Sequence, residues 1–157
     1  MSIQRAKEYL RKFGLEEQVL EFDVSSATVE LAAQALGCEP ARIAKTLSFE
    51  AEPGCMLVVA AGDAKIDNQK FKAEFGRKAK MLAPAEAERL IGHAVGGVCP
   101  FGVEQGVIVY LDISLRRFET VYPACGSSNS AIKMSISLLE QCSAAEKWVD
   151  VCKGWQE

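Results

Sequence analysis

Lys45-Thr46-Leu47-Ser48-Phe49-Glu50 and Met56-Leu57-Val58-Val59-Ala60-Ala61 flank the turn signal Glu52-Pro53-Gly54. Two apolar runs of strand length on either side of Pro-Gly predict an antiparallel hairpin. Upstream, Thr28 is placed to cap a helix through Val29, Leu31, Ala32 and Leu36 that stops at Gly37. Further back, Val19 to Phe22 reads as a short strand, and Ser2 leads a helix with apolar Ile3, Ala6, Leu10 and Phe13 that ends at Gly14. Downstream, Asp67 caps a helix to Phe75, closed by Gly76; Lys80-Met81-Leu82 is a brief strand; Pro84 opens a helix to Ile91 before Gly92. Val107 to Leu111, Thr120 to Tyr122 and Ala131 to Met134 follow as strands, then a helix near Leu138 to Cys142 and a strand near Trp148 to Val151. Hairpins mixed irregularly with crossovers predict an α+β fold around a mixed sheet.

Composition narrows the class. The 157 residues, 49% hydrophobic and 25% charged, predict one globular domain spanning 1–157, without repeats or low-complexity linkers. No apolar run approaches the roughly 18 residues needed to span a bilayer, and the N-terminus lacks the apolar core of a signal peptide, so a cytoplasmic protein with no membrane role is expected. The six cysteines form no C-x-x-C pair and His93 is the only histidine, so reduced thiols and no metal site are expected. A net charge of −3 gives no global attraction to DNA or RNA. Lys65, Lys70, Lys72, Arg77, Lys78 and Lys80 nevertheless form a basic island, readable as a local RNA contact or as a solvated helix face.

Four positions are candidates for chemistry. Strand alternation puts Lys45 on the face shared by Leu47 and Phe49, so its ammonium needs an anionic partner, a shifted pKa or a route to water. Gly96-Gly97-Val98-Cys99-Pro100-Phe101-Gly102 packs three glycines and a proline into seven residues. Such a loop suits a backbone cradle for a carbonyl or oxyanion, and equally a tight turn entering a strand. Cys125-Gly126-Ser127-Ser128-Asn129-Ser130 is a polar loop, able to line a pocket or simply to turn. Asp112 ends the Val107 to Leu111 strand as a turn cap or an acid.

Taken in order, Lys45-Thr46-Leu47, then Gly96-Gly97-Val98-Cys99-Pro100-Phe101-Gly102, then Asp112-Ile113-Ser114-Leu115, then the Gly126 loop resemble the YbaK/ProX aminoacyl-tRNA deacylases across nearly the whole chain. Thr28-Val29-Glu30 leading to Ala35-Leu36-Gly37 adds to the likeness. The resemblance implies a mixed, barrel-like sheet wrapped by helices and a trans-editing hydrolase that strips a small amino acid such as alanine, cysteine or serine from a mischarged tRNA(Pro)-type acceptor end, with prolyl-tRNA synthetase as a possible partner. It implies Lys45 as the catalytic residue and Thr28, Thr46, Gly96, Gly97, Cys99, Pro100, Phe101, Gly102, Asp112, Gly126 and Ser127 as substrate-binding residues. It implies no cofactor and no metal. No protein nucleophile is needed, because the ester is activated and the terminal ribose hydroxyl can assist the attacking water; the protein positions. Some members carry Ser-Gly-Gly or Ser-Ala-Gly where this chain has Ala124-Cys125-Gly126, which loosens the preference for cysteine.

Two rivals remain at this point. One is a non-catalytic module that binds tRNA or a synthetase. The other is a thiol hydrolase with Cys99 as nucleophile and His93 as base, which the six-residue spacing across a glycine-rich loop is expected to disfavour.

Overall fold

A computed structural model describes residues 2–26, 28–51, 54–93 and 97–155. The elements run α1 (Ser2–Arg11), β1 (Leu20–Glu21), α2 (Val29–Leu36), β2 (Ile43–Glu50), β3 (Cys55–Ala61), β4 (Lys65–Ile66), α3 (Asn68–Phe75), α4 (Pro84–Ile91), β5 (Ile108–Asp112), β6 (Thr120–Pro123), β7 (Ser130–Ala131), β8 (Met134–Ser135), α5 (Ile136–Ser143), β9 (Lys147–Val149) and β10 (Cys152–Lys153). The fold is α+β. Six strands form the main sheet in the order β8-β6-β2-β3-β5-β9, curled into a half-barrel with helices around it.

The hairpin is the hub of this sheet. β2 and β3 pair antiparallel from Ala44 opposite Ala61 to Glu50 opposite Cys55. β3 is buried along its whole length, because β2 and β5 flank it and both of its faces are covered. The pairs β3 with β5, β5 with β9 and β2 with β6 are parallel, so each needs a crossover connection. Leu57, Val58, Phe49, Phe71, Leu111, Leu115 and Leu139 lie in the main core, and Phe71 stacks obliquely on Phe49 with ring centroids 4.9 Å apart.

Local chemistry sets the helix ends. Thr28 accepts a hydrogen bond from Leu31 N–H at 3.1 Å, and Asp67 accepts from Gln69 and Lys70 N–H, so each satisfies amides that the first turn leaves orphaned. Gly37, Gly76 and Gly92 end α2, α3 and α4 in the left-handed conformation that a Cβ disfavours.

Two expectations are adjusted, and one pairing is added. The continuous strand from Ala131 to Met134 is instead two short ones, β7 pairing with β1 and β8 with β6. Lys80 to Leu82 meets β2 through a single bridge between Phe49 and Met81. β4 and β10, two residues each, pair with one another and were too short to carry a periodic signal. The turn residues Glu52 and Pro53 lie outside the described residues.

Candidate active site

The free edge of β2 is shared by two partners that do not meet. At one end Ile43 and Ala44 pair with Tyr122 and Pro123 of β6. At the other, Glu50 N–H donates to the Lys80 carbonyl at 2.8 Å and Leu82 N–H donates to the Ser48 carbonyl at 3.2 Å. Main-chain groups alternate sides along a strand, so Thr46 points its N–H and C=O to the same side as Ser48 and Glu50. Between the two pairings that side faces a cavity of about 260 Å³. Thr46 Oγ1 is also buried without a hydrogen-bond partner among the described residues. One residue thus offers a main-chain donor and acceptor to this space, while its hydroxyl lies buried beside it.

The walls come from elements distant in sequence. Ala44, Thr46 and Ser48 form the floor, Thr28, Val29 and Ala32 of α2 stand on one side, and Met81, Leu82 and Pro84 on another. Val98, Tyr122, Ala124 and Ser130 complete the enclosure with Ser26, Ile43 and Lys45. The lining is mostly apolar with a few hydroxyls, the mixture expected of a small-molecule pocket. Met81 stays 58% exposed at its mouth.

Lys45 contributes to this wall, is half-buried, and donates from its ammonium to the Gly62 carbonyl at 3.3 Å and to the Ala64 carbonyl. The partner that alternation demanded is therefore main chain just beyond β3. Burial holds the Lys45 pKa below the ordinary lysine value, with the nearby Cys152 and Asp63 pulling the other way.

The glycine-rich loop and the Gly126 loop touch each other. A Cβ on Gly97 would lie 2.6 Å from Ser127 N and 2.7 Å from the Gly126 carbonyl carbon, so only glycine permits this crossing. Gly126 itself has φ +91°, in the region that L side chains avoid. The crossing sets Val98 and Ala124 on the cavity wall. Gly96 lies outside the described residues.

Several residues expected at the site serve the fold instead, and the expectation is corrected for each. Asp112 is fully buried: its carboxylate accepts from Ser114 N–H and from Val151 N–H, both at 2.9 Å, which spends its oxygens on holding β5 against the segment after β9. Cys99, Pro100 and Phe101 are buried in the core rather than on the cavity wall. Gly102, with φ +69°, gives its carbonyl to Arg5 Nε and lets α1 approach so closely that a Cβ would sit 2.7 Å from the Arg5 carbonyl oxygen. The Ser127 hydroxyl is held by Asn129 Oδ1 at 2.9 Å and Ser130 Oγ at 2.7 Å. Of the predicted set, Lys45, Thr46 and Thr28 line the cavity, and Gly97 with Gly126 braces it.

The spacing argument against a His93 and Cys99 pair also fails as geometry, since Cys99 Sγ lies 3.7 Å from His93 Nε2. Chemistry separates them anyway. His93 Nε2 is 2.7 Å from the Phe101 carbonyl, which can only accept, so that nitrogen carries the proton and is no base toward the thiol. Burial pushes the Cys99 thiol up to about 12, against a smaller lowering by its contact with the Phe101 carbonyl, so thiolate is scarce at neutral pH. Among the described residues no cluster of three or more His, Cys, Asp or Glu could hold a metal ion, and no helix is long and apolar enough to cross a membrane.

Comparison with known proteins fits this geometry. The aminoacyl-tRNA editing domain family matches residues 23–142, and the chain belongs to that family. It is 50% identical to the uncharacterized protein YwhH of Bacillus subtilis (strain 168) over 157 residues, covering 99% of this chain and 100% of that one. It is 32% identical to the proline–tRNA ligase of Thermosipho melanesiensis over 125 residues, which covers 79% of this chain but 22% of the ligase. A crystal structure of a proposed trans-editing enzyme for prolyl tRNA synthetase superposes with a TM-score of 0.87 at 30% identity, covering 98% of each chain.

Proposed function

We propose that this chain is a trans-editing hydrolase, with residues 1–157 acting as one unit, that deacylates mischarged tRNA of the tRNA(Pro) type carrying a small amino acid such as alanine, cysteine or serine. The observation that carries this reading is the open stretch of β2 at Thr46, facing a small, mostly apolar cavity. An aminoacyl ester carries an amino group that donates and a carbonyl that accepts, and the Thr46 C=O and N–H offer the complementary pair side by side. Val29, Ala32, Val98 and Ala124 would surround the amino acid side chain, and the crowding of these walls around one pocket favours a small one. Lys45 would hold the substrate's 3′ end with the donor capacity its two carbonyl bonds leave over. Fixed donors aimed at the ester carbonyl stabilise the charge that grows there as water attacks, and the terminal ribose hydroxyl assists that water. The kinship with proline–tRNA ligases supports a synthetase partner of that specificity, and this substrate would place the protein in the cytoplasm.

Incubation with a panel of tRNAs mischarged with alanine, serine, cysteine and larger residues tests the reading. Release of the small amino acids is expected; binding without release from any of them would mark a non-catalytic module instead. Cys99→Ala should retain activity within about threefold, because the buried thiol is almost wholly protonated at pH 7. Loss of hydrolysis in that variant, with an unchanged circular dichroism spectrum, would restore the thiol mechanism.

A further inference from the structure

Tyr122 is common to the cavity and to a second hollow. The half-buried Tyr122 also lines an open groove of about 490 Å³ whose other walls are Gly37, Cys38, Glu39, Arg42, Thr120 and Lys133. An acceptor end seated in the cavity must leave over one of its lips, and two of them carry positive charge.

On the Met81 lip, the basic island is partly neutralised. Lys80 pairs with Glu50 at 3.5 Å, and Lys70 pairs with Asp150 at 3.1 Å while donating to the Cys152 carbonyl. Lys65, Lys72, Arg77 and Lys78 remain without an ion pair among the described residues, and none of them lines the cavity or the groove. On the Tyr122 lip, Lys133 is exposed between the buried Ile132 and Met134, with no ion pair among the described residues. Arg42 is held in place from two sides: it stacks on Phe118 with its guanidinium carbon 4.9 Å from the ring centroid, and it donates to the Thr120 carbonyl at 3.4 Å. Its remaining partner, Glu39, also at 3.4 Å, is 75% exposed, a surface pair that a phosphate can replace at small cost.

Resting on the editing reading above, we infer that the RNA leaves the cavity over Tyr122 and that Arg42 and Lys133 take the phosphates of the unpaired 3′ nucleotides. The arrangement is a tyrosine shared by cavity and groove, with a pre-positioned guanidinium and an exposed lysine in the groove beyond it. Single-stranded RNA is held in this way, by stacking on a ring and by cations along the backbone. Arg42 offers a planar fork suited to a phosphate, and Lys133 a mobile point charge.

The test compares Arg42→Gln/Lys133→Gln with Arg77→Gln/Lys78→Gln. The probe is an uncharged RNA minihelix ending in CCA, labelled at its 5′ end, with affinity followed by fluorescence anisotropy between 50 and 200 mM KCl. The first variant should bind about tenfold more weakly, with the slope of log K against log salt shallower by about 1.4, the loss of two single-strand phosphate contacts. The second variant should stay within about twofold of wild type. Because Arg42 also packs on Phe118, Lys133→Glu alone serves as a second probe and should reproduce at least half of the logarithmic loss. Hydrolysis of alanyl-tRNA should fall at least fivefold more in the first variant than hydrolysis of 3′-alanyl-adenosine. Equal slopes in wild type and the first variant, or a larger loss in the Arg77 and Lys78 variant, would overturn the route while leaving hydrolysis by wild type as independent support for editing. Wild type that hydrolyses nothing yet binds the minihelix through Arg42 and Lys133 would remove the editing reading and keep the RNA surface.

Discussion

Lys45→Ala should lose at least 100-fold in kcat/KM for deacylation, about 2.7 kcal/mol of transition-state stabilisation, while its circular dichroism spectrum matches wild type. Lys45 is the half-buried lysine among the residues lining the cavity, and the bonds of its ammonium to the Gly62 and Ala64 carbonyls fix where that group stands. Removing it takes away the group assigned to the substrate's 3′ end and leaves two carbonyls to find water, at a stability cost of about 1–3 kcal/mol. Normal turnover in this variant would remove Lys45 from the site. A pH profile gives a second reading. Burial lowers the Lys45 pKa, so the alkaline fall in wild-type kcat/KM, after subtraction of spontaneous ester hydrolysis, should begin below the ordinary lysine value of 10.5. Between the lowered folded pKa and the ordinary unfolded one, the unfolded chain binds more protons than the native state. The contribution of Lys45 to stability therefore rises with pH across that window, and unfolding at this residue cannot mimic the loss of activity.

Gly97→Ala is expected to cost about 10- to 100-fold in activity and roughly 5 °C in Tm. The added methyl would stand 2.6 Å from Ser127 N and 2.7 Å from Ser127 Cα, main-chain atoms that cannot rotate away as a side chain would. The two loops must separate, and overpacking of this kind costs about 1–3 kcal/mol. Their separation moves Val98 and Ala124, both on the cavity wall. Gly102→Ala is the control: it collides with the Arg5 carbonyl and strains a φ of +69°, so it should lower Tm comparably with a smaller effect on turnover. Thermal melts and steady-state deacylation of both variants separate the two cases. Equal activity losses at equal Tm would mean that the crossing of Gly97 over Gly126 matters only for folding.

Local chemistry made the elements legible and nonlocal geometry concealed the cavity. Thr28, Asp67, Gly37 and Gly76 announce helix ends because caps act on amides a few residues away, and α2 runs from Val29 to Leu36 as expected. The hairpin was equally readable, because alternation and a turn signal are properties of one short stretch. Thr46 is different. What makes it a site is the gap between two partners of β2, Tyr122 with Pro123 on one side and Lys80 with Leu82 on the other, brought together from some 40 residues apart. Ser26, Met81 and Tyr122 escaped notice for the same reason, since each is ordinary in its own segment. Asp112 misled in the opposite direction: a carboxylate at the end of a strand looks the same in sequence whether it meets a substrate or two amides of its own chain.

Where Gly97 crosses Gly126, peptide bonds rather than side chains hold the enclosure in shape, and on β2 the Thr46 amide and carbonyl are polar groups that every substitution except proline leaves in place. Capacity, by contrast, rests with replaceable groups such as Val98, Ala124 and Ala32. Grip and gauge are therefore separable in this protein. On the proposed editing reading, a bulkier or slighter residue at one of those three positions would reset which amino acid fits while leaving the main-chain groups of β2 in place.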